Sequence, residues 1–206
     1  MTAAVETLHE RYVAPRRVRV LSAHVDGLIP PQSSVLDIGC GDGALAARLM
    51  QQRADLRVEG VDVLARPGSQ IPVRVFDGLT VPYGEASVDV ALLIDTLHHA
   101  QDPLRLLREA VRVARRSVII KDHLCDGWLA RPTLRFMDWV GNARHGVALP
   151  GTYWPKRRWL EAFQQVGLTA DVWQDRLGLY PWPAHWIFER SLHFIARFAA
   201  RAARAA

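Results

Sequence analysis

The chain has 206 residues, of which 50% are hydrophobic and 23% are charged, a composition typical of one globular domain with a substantial core. No apolar run approaches the roughly 20 residues of a membrane span, and the N-terminus lacks a signal-peptide pattern, so we expect a cytoplasmic protein. Its two cysteines indicate neither a disulfide framework nor a metal site. The net charge of +5 does not indicate nucleic-acid binding, because most of it comes from a tail without acids: Arg190, Arg197, Arg201 and Arg204.

Strands and helices alternate along the first 125 residues. Pro15 can begin a helix, and apolar residues then recur at helical spacing up to Pro30-Pro31. Apolar runs predict strands at residues 35–38, 57–62, 73–76, 88–94 and 117–121. Amphipathic runs predict helices at residues 44–52 and 103–114. So few residues separate the second and third strands that the crossover helix there is shortened or missing. This alternation predicts a parallel, doubly wound α/β sheet.

The pattern changes after the fifth strand. Residues 126–155 combine aromatic side chains with a turn-rich end, which predicts a short helix plus loop that forms a lid-like insert. A helix is predicted at 155–166 with Gly167 as its stop, and strands at 168–173 and 192–198 are predicted to pair antiparallel at the sheet edge. We therefore predict one Rossmann-like domain (1–206) with a mostly parallel seven-stranded sheet and an antiparallel edge strand. Its parts are a helical cover (1–34), a core (35–125), the insert (126–155) and a C-terminal helix with edge strands (156–206).

The segment VLDIGCGDG (35–43) runs from an apolar strand into three glycines and then into a helix. Glycines allow the backbone to approach a ligand closely, and N–H groups at the start of the helix point toward it. With Ala44 and Asp62 this spacing also satisfies the dinucleotide fingerprint. The glycine turn therefore predicts a nucleotide-like ligand without specifying which one.

Charge separates the two ligand classes that use such a turn. A dinucleotide would place an anionic pyrophosphate beside Asp37 and Asp42, which would repel it in a partly dry site. S-adenosylmethionine has no phosphate, and its ammonium and sulfonium groups would attract those carboxylates. The acids therefore favour S-adenosylmethionine over a nicotinamide dinucleotide.

In four ordered elements, over roughly residues 35–121, the chain resembles the class I S-adenosylmethionine-dependent methyltransferases. The resemblance is strongest to the small-molecule group of the type 11 and ubiquinone-biosynthesis kind. The glycine turn resembles the family's first motif, which implies that Asp37, Gly39, Gly41 and Asp42 line the methionine moiety of the cofactor.

Three further acids resemble family positions at the ends of successive strands. Asp62 resembles the acid that binds both ribose hydroxyls, and Asp77 with Gly78 resembles the pair beside the adenine. Asp95 begins the segment DTLHH (95–99), which resembles the fourth-strand motif facing the transferred methyl group. The resemblance thus implies S-adenosylmethionine as the cofactor and these four residues among its contacts.

Methyl transfer from a sulfonium is an in-line displacement, in which the protein mainly aligns the acceptor and excludes water. A general base helps if the acceptor is a hydroxyl or an acidic carbon. His98, at the crevice end of the fourth strand, is the first candidate, and His123, after the fifth strand, is the second. Lys121 and Asp122 either pair with each other at the surface or face the ligand crevice, and His145 in the insert is expected to be a solvated loop residue.

Aromatic residues in the insert and after it favour an apolar pocket for a small hydrophobic or aromatic acceptor. Two alternatives stay open: an NAD-dependent oxidoreductase and a non-catalytic methyltransferase-like interaction module. No nucleic-acid partner and no stable membrane insertion are expected. Residues 192–198 alternate at strand spacing, so only the arginines beyond them would make weak peripheral contact with a membrane. The acceptor, its methylated atom and the oligomeric state do not follow from the sequence.

Overall fold

The computed structural model describes residues 9–142 and 151–199. After a π-helical turn at His9–Val13, the helices are α1 (Ala14–Asp26), α2 (Ala44–Gln52), α3 (Pro103–Val113), α4 (Ala130–Asn142), α5 (Lys156–Gln165) and α6 (His185–Phe188). The strands are β1 (Ser34–Ile38), β2 (Arg57–Asp62), β3 (Val73–Val75), β4 (Val88–Ile94), β5 (Ala114–His123), β6 (Ala170–Gln174) and β7 (His193–Ala199). Residues 63–72 contain no helix, as predicted. Among the described residues, no helix is long and apolar enough to cross a membrane.

One seven-stranded sheet has the order β3-β2-β1-β4-β5-β7-β6. The pairings among β1 to β5 are parallel, whereas β7 is antiparallel to both β5 and β6. This confirms the predicted Rossmann-like, mostly parallel α/β sheet with an antiparallel strand toward one edge. Within that edge pair, β6 is the outermost strand and β7 lies between β5 and β6. Both faces of β7 are covered, since Phe194 packs in one core and Ile195 in the other.

The sheet separates two hydrophobic cores, because successive side chains of a strand point to opposite faces. On β1, Leu36 belongs to one core and Val35 to the other. α3 and α5 cover the first core, and α1 and α2 cover the second. The carboxyl ends of β1, β2, β4 and β5 therefore meet at one uncovered edge of the sheet, which is where open α/β sheets bind ligands.

The insert starts with α4, which is 13 residues long. Its buried side packs through Ala130 and Leu134 in a small third core with Tyr153 and Leu192. The predicted loop that follows, including His145, lies outside the described residues. α4 thus lies over the carboxyl edge of the sheet, where the insert was predicted to act as a lid.

Candidate active site

A cavity with a volume of ≈ 540 Å³ opens at the carboxyl edge of the sheet. That volume is within the range of small-molecule sites. Of the residues implied by the resemblance or chosen as bases, those that line it are Gly39, Gly41, Asp62, Asp77, Gly78, Asp95, His98 and His123. Asp37 and Asp42 are not among the lining residues. The structure thus brings eight of the ten predicted site residues to one space.

Glycine is required at the turn for packing as well as for ligand approach. Gly39 has φ +80°, and a Cβ on it would lie 2.4 Å from the Thr96 methyl carbon. The backbone N–H of Gly41 donates to Asp62 Oδ2 at 2.8 Å, and that of Leu64 donates to Asp62 Oδ1 at 3.0 Å. The Asp62 carboxylate therefore positions the turn in addition to lining the cavity.

Arg66 lies over the same turn. A Cβ on Gly41 would be 3.4 Å from the guanidinium carbon of Arg66, and Arg66 also lines the cavity. The structure therefore places a cation among the acids of this half of the cavity, a feature that the sequence reasoning did not foresee.

Asp37 lies under the turn rather than in the cavity and is 2% exposed. Burial, with the nearby charge of Asp62 as a smaller cause, raises the pKa of Asp37 to about 7. Asp42 is exposed, and its Oδ1 accepts from the backbone N–H of Ala44 at 3.1 Å, at the start of α2. The expectation that these two acids contact the ligand directly thus lacks support from the geometry, because one is covered and the other caps a helix.

Asp77 accepts backbone hydrogen bonds from Thr80 at 2.7 Å and Leu79 at 2.8 Å, both at Oδ1. These bonds lower the pKa of Asp77. The carboxylate is therefore held in place and ionised where it lines the cavity beside Gly78.

Asp95 follows β4 with φ 54° and forms ion pairs with Arg17 of α1 and Lys121 of β5. Burial opposes ionisation of Asp95, but the charges of Arg17 and Lys121 hold its pKa well below the usual range. Arg17 also lines the cavity, and nothing in the sequence of α1 pointed to this role. Asp95 is therefore a charged, paired group at the cavity.

Lys121 and Asp122 do not pair with each other at the surface, which was one of the two sequence interpretations. Both are 0% exposed, because β7 pairs with β5 along residues 117–123 and covers them. Lys121 pairs with Asp95, whereas Asp122 accepts from the backbone N–H groups of Leu97 at 3.1 Å and His123 at 2.7 Å. Each side chain thus supports a residue that lines the cavity, Lys121 through Asp95 and Asp122 through His98.

His98 is 1% exposed and lies between two carboxylates. Its Nδ1 is 2.7 Å from Asp122 Oδ1, and its Nε2 is 3.5 Å from Asp138 Oδ2. Burial alone would lower the pKa of His98, but the Asp122 and Asp138 carboxylates raise it to about 10. His98 is therefore an imidazolium at neutral pH.

His123 has the opposite character, and its hydrogen-bond chain assigns its tautomer. His193 Nε2 lies 2.9 Å from the Phe188 carbonyl oxygen, which only accepts, so this nitrogen carries the proton. His193 Nδ1 then has a lone pair and accepts from His123 Nδ1 at 3.1 Å. His123 Nε2 consequently has a lone pair of its own, 3.5 Å from Asp95 Oδ1 and 3.8 Å from Asp138 Oδ1. Burial, followed by the charges of Lys121 and His98, holds the pKa of His123 well below its usual range.

Asp138, Tyr153 and His193 were missed by sequence reasoning. The Tyr153 hydroxyl donates to Asp138, which is 7% exposed. The one available signal was an acid in the aromatic-rich run FMDW (136–139) of the insert. Tyr153 and His193 resemble ordinary core residues in the sequence, so only packing identifies them.

Two groups of side chains have the spacing of metal ligands, with ligand atoms within 4.8 Å of one another: Asp95, His98 and His123, and His98, His99 and Asp138. Asp95 already faces Arg17 and Lys121, and Asp138 faces the His98 imidazolium. The charge of each carboxylate is thus balanced by protein cations. The expectation of no metal site stays a prediction.

Residues 36–120 match the family model of a methyltransferase domain. The 27-O-demethylrifamycin SV methyltransferase of Amycolatopsis mediterranei is 30% identical over 110 residues, 46% of this chain and 40% of that protein. The ubiquinone biosynthesis O-methyltransferase of Pectobacterium atrosepticum is 28% identical over 115 residues, 50% of this chain and 46% of that protein. The family model, these relatives and the fold support a class I S-adenosylmethionine-dependent methyltransferase.

The chain spans about half the length, or less, of the two curated relatives. It shares its fold with a SAM-dependent methyltransferase of known structure from Aquifex aeolicus, with a TM-score of 0.62 and 16% identity over 97% of this chain and 98% of that chain. Family and fold imply S-adenosylmethionine as the cofactor and do not favour the oxidoreductase alternative.

Proposed function

We propose that this methyltransferase transfers a methyl group from S-adenosylmethionine to a small hydrophobic or aromatic acceptor. One observation carries the proposal: a single cavity extends from Gly39 and Asp62 of the turn region to His98 and His123. The names of the two curated relatives, which specify demethylrifamycin and ubiquinone biosynthesis, support a small-molecule acceptor. We further propose that residues 1–206 act as one domain, in which the N-terminal cover supplies Arg17 and the insert supplies Asp138.

The residues around the turn fit the cofactor. Gly39 and Gly41 form a cradle that a Cβ would disturb. A carboxylate has about four lone-pair sites, and backbone N–H groups take one at each oxygen of Asp62, so Asp62 has capacity for the ribose hydroxyls. Asp77 with Gly78 would face the adenine.

The remaining proposed cofactor residues act mainly through charge. Asp95, which lines the cavity, would lie nearest the cationic end of the cofactor, where it reduces the repulsion that the neighbouring Arg17 and Lys121 would otherwise exert on that end. Asp42 would act on the same cations from outside the cavity, whereas Asp37, whose charged form is disfavoured by burial, would mainly support the turn. When bound, S-adenosylmethionine supplies the methyl group and, as the C–S bond breaks, takes the bonding electrons on its sulfur.

Of the two proposed catalytic histidines, His123 is the better proton acceptor. The lone pair on its Nε2 is available at neutral pH to take the proton of an acceptor hydroxyl. The Asp95 carboxylate, 3.5 Å away, partly offsets the burial and the Lys121 and His98 charges that lower the pKa of His123. His98 is already protonated, since its pKa is about 10. It would therefore orient Asp138 and the acceptor as a hydrogen-bond donor.

Methyl transfer from radiolabelled S-adenosylmethionine to a panel of quinols, phenols and lipids, with peptides and nucleic acids alongside, tests the proposal. We expect label in one class of apolar small molecule, and a large loss of that label in His123→Ala. Label found only in the macromolecules would refute the proposed acceptor class. Tight cofactor binding with no label in any acceptor would instead favour a non-catalytic module.

A further inference from the structure

Exposed apolar side chains are concentrated on one part of this molecule. Of the twelve large hydrophobic residues that are exposed in the described chain, seven lie within residues 128–139 and 182–187. They include four of the seven tryptophans: Trp128 is 89% exposed, Trp139 is 41%, Trp182 is 74% and Trp186 is 65%. A soluble surface rarely groups exposed aromatic residues in this way unless it binds something.

Ring contacts bring α4 and α6 together and connect part of this set. The Phe136 ring is 6.2 Å from the ring of Trp139 and 6.2 Å from that of Phe188. The Trp182 and Trp186 rings are 6.3 Å apart. We call the exposed side chains of Phe136, Trp139, Trp182 and Trp186 the aromatic surface.

The opposite side of α4 faces the site. Met137, Asp138 and Gly141 of α4 line the cavity, whereas Phe136 and Trp139 are 47% and 41% exposed. One helix therefore separates the aromatic surface from the cavity. Whatever the aromatic surface binds comes to lie beside the acceptor end of the site.

The surface is also cationic. Arg131 and Arg135 of α4 are exposed, and Arg190 donates to Thr133 Oγ1 at 3.0 Å beside them. The one acid within α4 is the buried Asp138. Glu189, after α6, directs its carboxylate at the backbone N–H groups of residues 177 and 178. Nearby, the exposed Asp126 accepts from the Lys156 N–H at the start of α5. Within residues 9–142 and 151–199, the charges of Arg131, Arg135 and Arg190 are thus not balanced by an ion pair.

We propose that the aromatic surface docks on an anionic lipid bilayer and places the cavity at the membrane face. Tryptophan is favoured at the bilayer–water interface because its ring is amphipathic, and arginine is attracted to anionic headgroups. A second copy of the chain fits less well, because a two-fold interface would place these arginines against their own equivalents. The proposal goes beyond the methyl transfer proposed above, and its test does not depend on activity.

The test is co-sedimentation of the whole chain with vesicles. One set contains phosphatidylcholine with an equal amount of phosphatidylglycerol, and the other contains phosphatidylcholine alone. We expect binding to the anionic vesicles with a blue shift of tryptophan emission, and a loss of at least about tenfold in partitioning for Trp139→Ser combined with Trp186→Ser. Arg131→Gln combined with Arg135→Gln should lower anionic binding by roughly 25-fold, since each arginine near such a surface contributes about fivefold.

The matched controls lie on β3, at the opposite edge of the sheet from β6. Arg74 and Val75 are both exposed, so Arg74→Gln and Val75→Ser remove one charge and one apolar side chain and should leave binding unchanged. Trp186→Ser alone gives a milder variant should the double variant unfold. The proposal is overturned if the unchanged chain binds neither vesicle or if the controls lose as much binding. It is also overturned if the chain forms a dimer in light scattering that the tryptophan variant abolishes.

Discussion

Asp37 makes the stability of this protein depend on pH in a direction that a single substitution can test. Its pKa of about 7 in the folded chain compares with an ordinary value of 3.8, so folding favours the protonated form. The stabilising contribution is fully present below about pH 4 and is lost as the pH rises through 7. A rise of about three units in pKa, at about 1.4 kcal/mol each, corresponds to roughly 4 kcal/mol.

Asp37→Asn removes that dependence, because the amide is neutral at every pH and has nearly the same shape. About two of the three units of the pKa shift lie above pH 5, so relative to the parent chain the variant should gain roughly 3 kcal/mol of unfolding free energy between pH 5 and pH 8. Urea unfolding followed by circular dichroism at several pH values measures the difference.

Asp89→Asn is the control with the opposite sign. Burial opposes ionisation of Asp89, but hydrogen bonds from Arg115 and Ser34 lower its pKa, so its stabilising contribution is present at neutral pH and is lost as the pH falls. The reasoning about Asp37 is refuted if the parent chain and Asp37→Asn show the same change of stability from pH 5 to pH 8.

Three further predictions concern the site. Asp62→Asn should raise the Kd for S-adenosylmethionine about 100-fold in calorimetry, because charge-assisted bonds to the ribose are lost; unchanged affinity would contradict the ribose role. His193→Leu leaves the His123 Nδ1–H unpaired and should lower kcat about tenfold without changing the affinity for the cofactor. His193→Asn should restore kcat, because its side-chain carbonyl accepts that hydrogen bond; equal loss of kcat in both variants would indicate a packing effect. Gly39→Ala should cost about 2–4 kcal/mol in urea unfolding, because the new Cβ meets Thr96 at positive φ; an unchanged midpoint would rule out that contact.

Much of the fold could be predicted because its elements carry regular local patterns. α2, β2 and β4 begin and end at the predicted residues, since their apolar periodicity and the flanking glycines and acids are both local. β5 is longer than the predicted 117–121, extending over Ala114–His123. The extension at its carboxyl end depends on β7, which pairs with β5 as far as His123, and a partner 70 residues away has no local signature.

The candidate site was predictable in outline. Gly39, Asp62, Asp77 and Asp95 line one cavity because each follows a parallel strand, and the carboxyl ends of parallel strands meet at one edge. The orientation of Asp37 was not predictable in this way. A strand-end acid can point into the crevice or under the turn, and neighbouring strands decide between the two.

The sequence by itself indicated the α/β fold, because strand and helix periods are local properties, and its four ordered motifs indicated a phosphate-free cofactor through their resemblance to the class I methyltransferases. Only the tertiary structure decided which histidine is charged. His98 meets Asp122 from 24 residues away, Asp95 meets Arg17 from 78 residues away, and His123 meets His193 from 70 residues away. In a buried, low-dielectric site the pKa and tautomer of each group depend on these distant neighbours, so the division between a cationic His98 and a neutral His123 exists only once the chain is folded.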